Sequence, residues 1–491
     1  MHMKRMLAGL SVLCLFGGTG LAQAAGMFDG VTVNLMTQTG AIQEPLARRA
    51  PDFEKMTGAK INVIAVPFSD LYQKVLTDWA SGTNSVDAAV FAPQWMVDYS
   101  AAGYLEDLTQ RVAKDKDIQW DDIATFFKEF SAKFAGKTYL VPLDGDFHML
   151  YYRTDVFKAA GLQPPKTWEE YLSDAKALNG KDFNGDGTKG FGSCIAKKRN
   201  AQSYWFVTDV AGSMIQAKGT GQGTFFNTKD MTPLVNNEAF AKALEFLKAT
   251  TEFGPPNELN MDVSDTRPLF VSGRCALNLD WGDVGPLSID KSASKVIGKW
   301  GAVVMPGSKQ VLNWDTGKLE NCTAATCPYA VDGVNHSPYA AFGGWSGGIN
   351  VHAKDKVKDA AYAFFSYMSQ SPQSKIDVTI GKTGFNPYRT SHFKDLGPWL
   401  DSGMSKEEAT SYLGAIQDSL NSPNMILDLR IPQNQKYQQV VLDEALSRYL
   451  SGEIDEKTAI STIESGWNDL NDQIGKDAQL AAYKSTLGLQ R

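Results

Sequence analysis

The sequence predicts an α/β fold of more than one domain, on three observations. Short β-rich runs alternate with amphipathic helical stretches through the N-terminal part, the pattern of a parallel sheet covered by helices. The chain has 491 residues, more than one hydrophobic core usually supports. Its composition is 43% hydrophobic, with no long apolar stretch after the N-terminus, which is material for large cores and none for a membrane span.

The elements follow in order. Lys4 and Arg5, the uncharged run from Met6 to Leu21 and the small residues of Ala22-Gln23-Ala24 read as a secretory signal peptide, residues 1–24. The run is short of the ~20 residues a membrane helix needs. A lipoprotein leader using Cys14 competes less well, because Val12 and Leu13 before it are bulky. Val31 to Met36 is a strand, Ala41 to Thr57 a helix ended by Gly58, and Lys60 to Val66 a second strand. A helix around Leu71 to Trp79 leads to the strand Asp87 to Phe91. Ligands of such sheets sit beyond the carboxyl ends of the strands, which singles out Gln38 and Thr39 after the first strand, and Gln94 and Trp95 after the third.

Towards the C-terminus, Asp355 to Gln370 and Gln433 to Leu450 are helical. Ile460, Ile463, Trp467, Leu470 and Ile474 then form a buried stripe behind a cap at Asp455. Phe126, Phe127 and Phe130 also take a helical spacing and are expected in a core. Pro306 to Ser337 has no period and is long for a loop, so it is expected to be a functional flap or a stapled excursion.

Charge and cysteines exclude several functions. Removing Lys4 and Arg5 with the leader leaves 46 basic against 55 acidic residues, a net charge of −9. Nucleic acid and anionic lipid are therefore unsuited as partners. Four cysteines remain beyond the leader, an even number in an exported chain. The short spacing of Cys322 and Cys327 favours a local bridge, which leaves Cys194 with Cys275. Zinc is the competing use, but no CxxC occurs and His148, His336, His352 and His392 are scattered.

Several motifs then fall in a familiar order: Gly136-Lys-Thr-Tyr-Leu-Val-Pro142, Leu143 through Phe157, Pro164-Pro-Lys-Thr-Trp-Glu-Glu170 and Leu269 through Trp281. Gly301 to Pro306 and Gly343 to Asn350, the latter followed by a helix with Ala360 to Phe365, complete the series. The sequence resembles the carbohydrate-binding, maltose-binding-protein-like members of the bacterial extracellular solute-binding proteins, over essentially the whole mature chain. The resemblance implies two α/β lobes of the type II periplasmic binding protein fold, closing on a solute between them. It implies lobe 1 at 25–142 and 299–345, carrying a stapled loop at 307–341, and lobe 2 at 143–298 and 346–491. Crossings are expected near Pro142, Ile297 and Asn350. It further implies a periplasmic monomer that passes a sugar or polyol to the membrane permease of an ABC importer, with no cofactor required and no stable membrane insertion.

Sugars and polyols offer many hydroxyls and apolar C–H faces, so acidic side chains and aromatic plates suit them. Asp144 and Asp146 after the first crossing, Trp281 and Asp283 in the turn Asp280 to Gly285, and Trp345 among glycines are candidates. Arg389 is either a clamp on hydroxyls or a carboxylate, or a salt bridge between lobes. A sugar acid thereby stays open as ligand.

In Asp182-Phe-Asn-Gly-Asp-Gly-Thr188, residues Asp182, Asn184, Asp186 and the Thr188 carbonyl occupy early positions of an EF-hand-like loop, but Ser193 stands where its bidentate glutamate belongs. The loop is either a calcium site completed from elsewhere or an Asx-rich turn. The resemblance favours a structural calcium far from the cleft, which would steady a loop and not be the function. Two other functions stay in view. A secreted glycoside hydrolase would use Asp280 with Asp283, or Asp144 with Asp146, as its two carboxylates. A sensor would present closed lobes to a receptor instead of a permease. Gly-x-Ser-x-Gly, Walker and dinucleotide glycine motifs are absent.

Overall fold

The structure is a computed structural model that describes residues 26–489, so the predicted signal peptide lies outside the described residues. Strands β1 (Thr32–Gln38), β2 (Lys60–Val66), β3 (Ala88–Phe91) and β4 (Val141–Pro142) begin a first sheet, with β1 parallel to both β2 and β3. Helices α1 (Gln43–Thr57) and α2 (Phe68–Ala80) make the connections. Their stripes Leu46, Ala50, Phe53 and Leu71, Val75, Trp79 recur every three or four residues and are buried. Gly58, at φ +81°, ends α1 in the left-handed conformation that favours glycine, and its N–H donates to the Glu54 carbonyl at 2.8 Å.

A second sheet contains β5 (Met149–Arg153), β6 (Phe191–Cys194), β7 (Cys275–Asp280) and β8 (Trp300–Val304), in the spatial order β8-β5-β7-β6. Helix α3 (Ser203–Ile215) is buried on every face, and α4 (Val263–Val271) starts at a capping box made by Asp262 and Asp265. The hairpin β9 (Gln310–Asn313) with β10 (Lys318–Asn321) follows, and β11 (Ser346–Ile349) then runs back into the first sheet, antiparallel to β3 and β4. Helix α5 (Asp355–Ser369) packs on that sheet, whereas α6 (Lys406–Asn421) packs on β8. In α7 (Glu456–Ile474) the predicted stripe is buried at Ile460, Ile463, Trp467 and Leu470, and Asp455 accepts the Thr458 N–H as its cap. Phe126 and Phe127 are buried in the core.

The sheets correct the sequence-based boundaries. β8 pairs with β5, so residues 300–304 stay with the second unit and no crossing occurs near Ile297. β11 and α5 belong to the first unit, so the chain does not leave it at Asn350. Strand partners so distant in sequence leave no periodic signal, so local pattern does not carry the strand order. The connecting segments instead span 142–149, 340–346 and 383–399. They touch through main chain: Leu143 N–H donates to the Trp345 carbonyl at 3.0 Å and Gly145 N–H to the Asn386 carbonyl at 3.2 Å. A Cβ at Gly145 would stand 2.3 Å from the Pro387 carbonyl oxygen.

The stretch 306–337 is a clasped appendage and not an irregular flap. Trp314 Nε1 donates to the Ile215 carbonyl at 3.0 Å, and Asn335 Nδ2 to the carbonyls of Ser213 and Gln216, which fixes the appendage to the end of α3. Cys322–Cys327 closes a loop within it, and Cys194–Cys275 ties β6 to β7. No described helix is long and apolar enough to cross a membrane.

Candidate functional site

A cavity lies between the two units and draws its walls from both units and all three connecting segments. Gln38, Ile42 and Phe68 come from the first unit; Gln202, Trp205, Arg267, Trp281 and Asp283 from the second; Asp146, Phe342, Trp345 and Gly384 from the connections. Gln38 ends β1 and Ile42 precedes α1, the position beyond a strand's carboxyl end that the topology favours.

Aromatic rings form most of the wall. Trp205 and Trp281 meet edge to face at 5.5 Å, Phe342 packs 5.2 Å from Trp205, and Phe68 lies 6.1 Å from Trp345. Trp281 rests on His148 at 4.1 Å, and His148 is held in turn by Asp209 at 2.6 Å. The Trp205 indole N–H donates to Asp428, whereas the buried Trp281 Nε1 has no partner among the described residues. A buried N–H without an acceptor costs free energy until something supplies one.

Two acidic pairs flank these rings. Arg267 reaches Asp280 through Nε and Nη2, at 3.0 and 2.8 Å, and Asp283 through Nη2 at 2.9 Å. Its guanidinium therefore faces the cavity already neutralised. Asp144 and Asp146 instead share the Asn386 carboxamide nitrogen, at 3.3 and 2.9 Å. Burial, reinforced by the charge of Asp283 against hydrogen bonds from its neighbours, lifts the Asp144 carboxyl to about 7. Burial and the charges of Asp144 and Asp283 raise Asp146 well above the carboxylate range, so the pair holds a proton at neutral pH. Each pair is engaged with its own bridging residue, Arg267 for the first and Asn386 for the second.

Of the ten predicted ligand residues, Gln38, Asp146, Trp281, Asp283 and Trp345 line the cavity. The other five do not. Thr39 is exposed beside Gln43. Gln94 is buried, its carboxamide nitrogen 2.6 Å from Asp428, and Trp95 packs behind Phe68 at 5.5 Å. Asp144 is fully buried on the backbone N–H groups of Asn386 and Trp345. Arg389 spends its fork on Asp122 at 2.8 Å and on the carbonyls of Ser369, Ile118 and Gln119, all within the first unit. It neither clamps a ligand nor bridges the lobes.

Sequence reasoning missed Trp205, Arg267, Gln202, Phe68 and Phe342. Trp205 sits in a helix buried on all sides, and an arginine in the first turns of α4 carries no local signal that its partners are Asp280 and Asp283.

The side chains of the calcium-like loop do not fit a cation. Asp182 accepts the N–H groups of Gly185 and Gly187 at 2.9 and 2.7 Å. Arg274 donates to both oxygens of Asp186, at 3.0 and 2.7 Å, and to the Thr188 carbonyl at 3.3 Å. Arg153 takes the Asn184 oxygen at 3.3 Å. Guanidinium N–H groups thus occupy the oxygens a calcium ion would use, and no group of three or more metal-binding side chains gathers among the described residues. The loop is an Asx-rich turn closed by an ion pair.

This architecture defines a two-lobe binding protein with a small aromatic and acidic cavity at its hinge. The family model for bacterial extracellular solute-binding proteins matches residues 35–375, and the chain belongs to that family. A probable amino-acid ABC transporter periplasmic-binding protein of Sinorhizobium fredii is 24% identical over 80% of this chain and 83% of its own. The mannitol-binding protein of Pseudomonas aeruginosa is 27% identical, over 62% of this chain and 61% of its own. Among solved structures, an ABC transporter solute-binding protein of Agrobacterium radiobacter in complex with ribitol superposes with a TM-score of 0.74 at 24% identity. It covers 90% of this chain and 99% of that one.

Proposed function

We propose that the protein is the periplasmic binding component of an ABC importer and captures a small uncharged polyol, or a single sugar ring, by closing its two lobes. The observation that carries this reading is a cavity of aromatic plates and acidic acceptors whose one lining guanidinium is already paired with Asp280 and Asp283. Hydroxyls donate to Asp283 and exchange hydrogen bonds with the proton-holding Asp146, C–H faces lie on Trp281, Trp345 and Trp205, and the Trp281 N–H finds its acceptor in a ligand oxygen.

Size narrows the class. The space in which water centres fit is about 70 Å³, room for roughly five to seven waters at ~10–15 Å³ each. That suits a linear polyol or a monosaccharide better than an oligosaccharide. The mannitol-binding relative and the ribitol complex support the same class. An amino acid, the cargo in the name of the Sinorhizobium relative, needs a free cation for its carboxylate; Arg267 is not one. The same argument disfavours sugar acids.

Closure works only because the ligand binds the closed state better than the open one. The closed monomer then docks on the permease and releases its cargo unchanged. The test is calorimetry with ribitol, D-mannitol, erythritol, monosaccharides, sugar acids and amino acids. Micromolar or tighter binding of a polyol, ~8 kcal/mol or more, is the expected result. Tighter binding of an amino acid or a sugar acid than of every polyol would overturn the reading.

A further inference from the structure

We propose that Asp144 is a positioning residue that ties ligand occupancy to the geometry of the hinge, an inference that rests on reading the cavity as the ligand site. Asp144 stands on the first connecting segment, has no exposed surface and lies outside the cavity wall. Its two oxygens reach the other two segments. Oδ2 accepts the Trp345 backbone N–H at 3.2 Å, and Oδ1 accepts the Asn386 backbone N–H at 2.6 Å. One carboxyl thus pins all three strands of chain that a closing motion must bend.

The same carboxyl is linked to the cavity. Asn386 Nδ2 donates to Asp144 and to Asp146, and Asp146 is a wall residue. Trp345, whose N–H is held by Asp144, presents its ring to the same space. A ligand hydroxyl that bonds Asp146 therefore acts two hydrogen bonds away, through Asn386, from the residue that fixes the segments, and a ligand face on Trp345 acts one away. The groups facing this pair are Asp283 and Arg267 from the second unit, with Asp280 behind them, and Tyr412 of α6, whose hydroxyl donates to Asn386 Oδ1 at 3.4 Å.

Opening the cleft lets water reach Asp146, which lowers the proton affinity of the pair; closing restores it. Closure is then coupled to proton uptake, and affinity falls as pH rises from about 5 towards 7. A purely structural carboxyl would stabilise the fold without altering that profile or the amplitude of closure.

The experiment compares wild type with Asp144→Asn, Asn386→Ala and Trp281→Ala, using ribitol and D-mannitol as probes. Calorimetry from pH 5 to 8, stopped-flow tryptophan fluorescence and small-angle scattering with saturating probe are the readouts. Asp144→Asn is expected to bind about tenfold or more weakly through faster release, since an amide offers only one oxygen to the two backbone N–H groups that the carboxyl holds. It should also show a shallower pH profile and a larger radius of gyration with probe than wild type. Asn386→Ala keeps both backbone bonds to Asp144 but removes the carboxamide that links it to Asp146, together with that carboxamide's own bonds to Asp144 and the Tyr412 hydroxyl. It is expected to flatten the pH profile and weaken binding, and it decides the matter if Asp144→Asn does not fold. Wild-type affinity, pH profile and closure in the folded Asp144 or Asn386 variant, while Trp281→Ala loses binding, would overturn the hinge role and leave the site intact. Wild-type affinity in Trp281→Ala, or no binding of either probe by the wild type, would remove the site reading and this proposal with it.

Discussion

Two pairs of aspartates each place one member, Asp146 or Asp283, on the cavity wall, and their bridging residues set them apart. Asp280 and Asp283 are joined by a guanidinium, Asp144 and Asp146 by a neutral carboxamide. The cation offsets the first pair and holds it as a fixed wall. The amide cannot, so the second pair retains a proton and can change charge in the physiological range. Burial still raises the Asp280 carboxyl above its ordinary value, with Arg267 working against it, so the neighbour sets how burial is balanced and not whether it acts.

The largest expected effect breaks the first pair. Arg267→Met leaves Asp280 and Asp283 buried without their cation and is expected to cost ~3–5 kcal/mol of folding stability, measured by urea denaturation, together with loss of polyol binding. A destabilisation below about 1 kcal/mol would mean that the pair is not dependent on Arg267. Next, Trp281→Ala keeps both pairs but removes a wall between them. Loss of the ring face and the N–H is expected to weaken binding ~30- to 150-fold, from ~2–3 kcal/mol of lost contact, with a smaller change in Tm.

The second pair is sharpened by pH. Folding raises the Asp144 pKa to about 7, so its contribution to stability is greatest below the exposed value near ~4 and is lost as pH rises to about 7. Denaturation from pH 4 to 8 should therefore show Asp144→Asn gaining on wild type as pH increases. Parallel profiles would refute the shared proton.

The smallest effect is expected at a third acidic site, where Asp186 meets Arg274 near the surface. Chelation with EDTA should leave the wild-type melting temperature unchanged, and added calcium should not raise it. A calcium-dependent rise would restore the metal to that loop.

Much of the fold was legible in the sequence because local pattern dictates it. Strand and helix alternated from Thr32 to Phe91 as the periodicity required, and the α7 stripe buried as spaced. The hinge was less legible. The pairing of β8 with β5 joins residues that no local pattern connects. At the site, Trp281, Asp283 and Trp345 were found because loops and glycine-rich turns seldom hold bulky or acidic residues without reason. Trp205 escaped because it lies in a mainly apolar run, Tyr204 to Val207, where its ring looks like core. Arg389 misled for the opposite reason: an arginine beside glycine and proline resembles a clamp, yet its donors all serve main-chain carbonyls and Asp122.

Gly145 brings two connecting segments together backbone against backbone, where even one methyl group would meet the Pro387 oxygen at 2.3 Å. The pivot is thus set by bare peptide planes. Alanine at position 145 would act as a wedge, prising apart the strands on which the rest of the molecule swings.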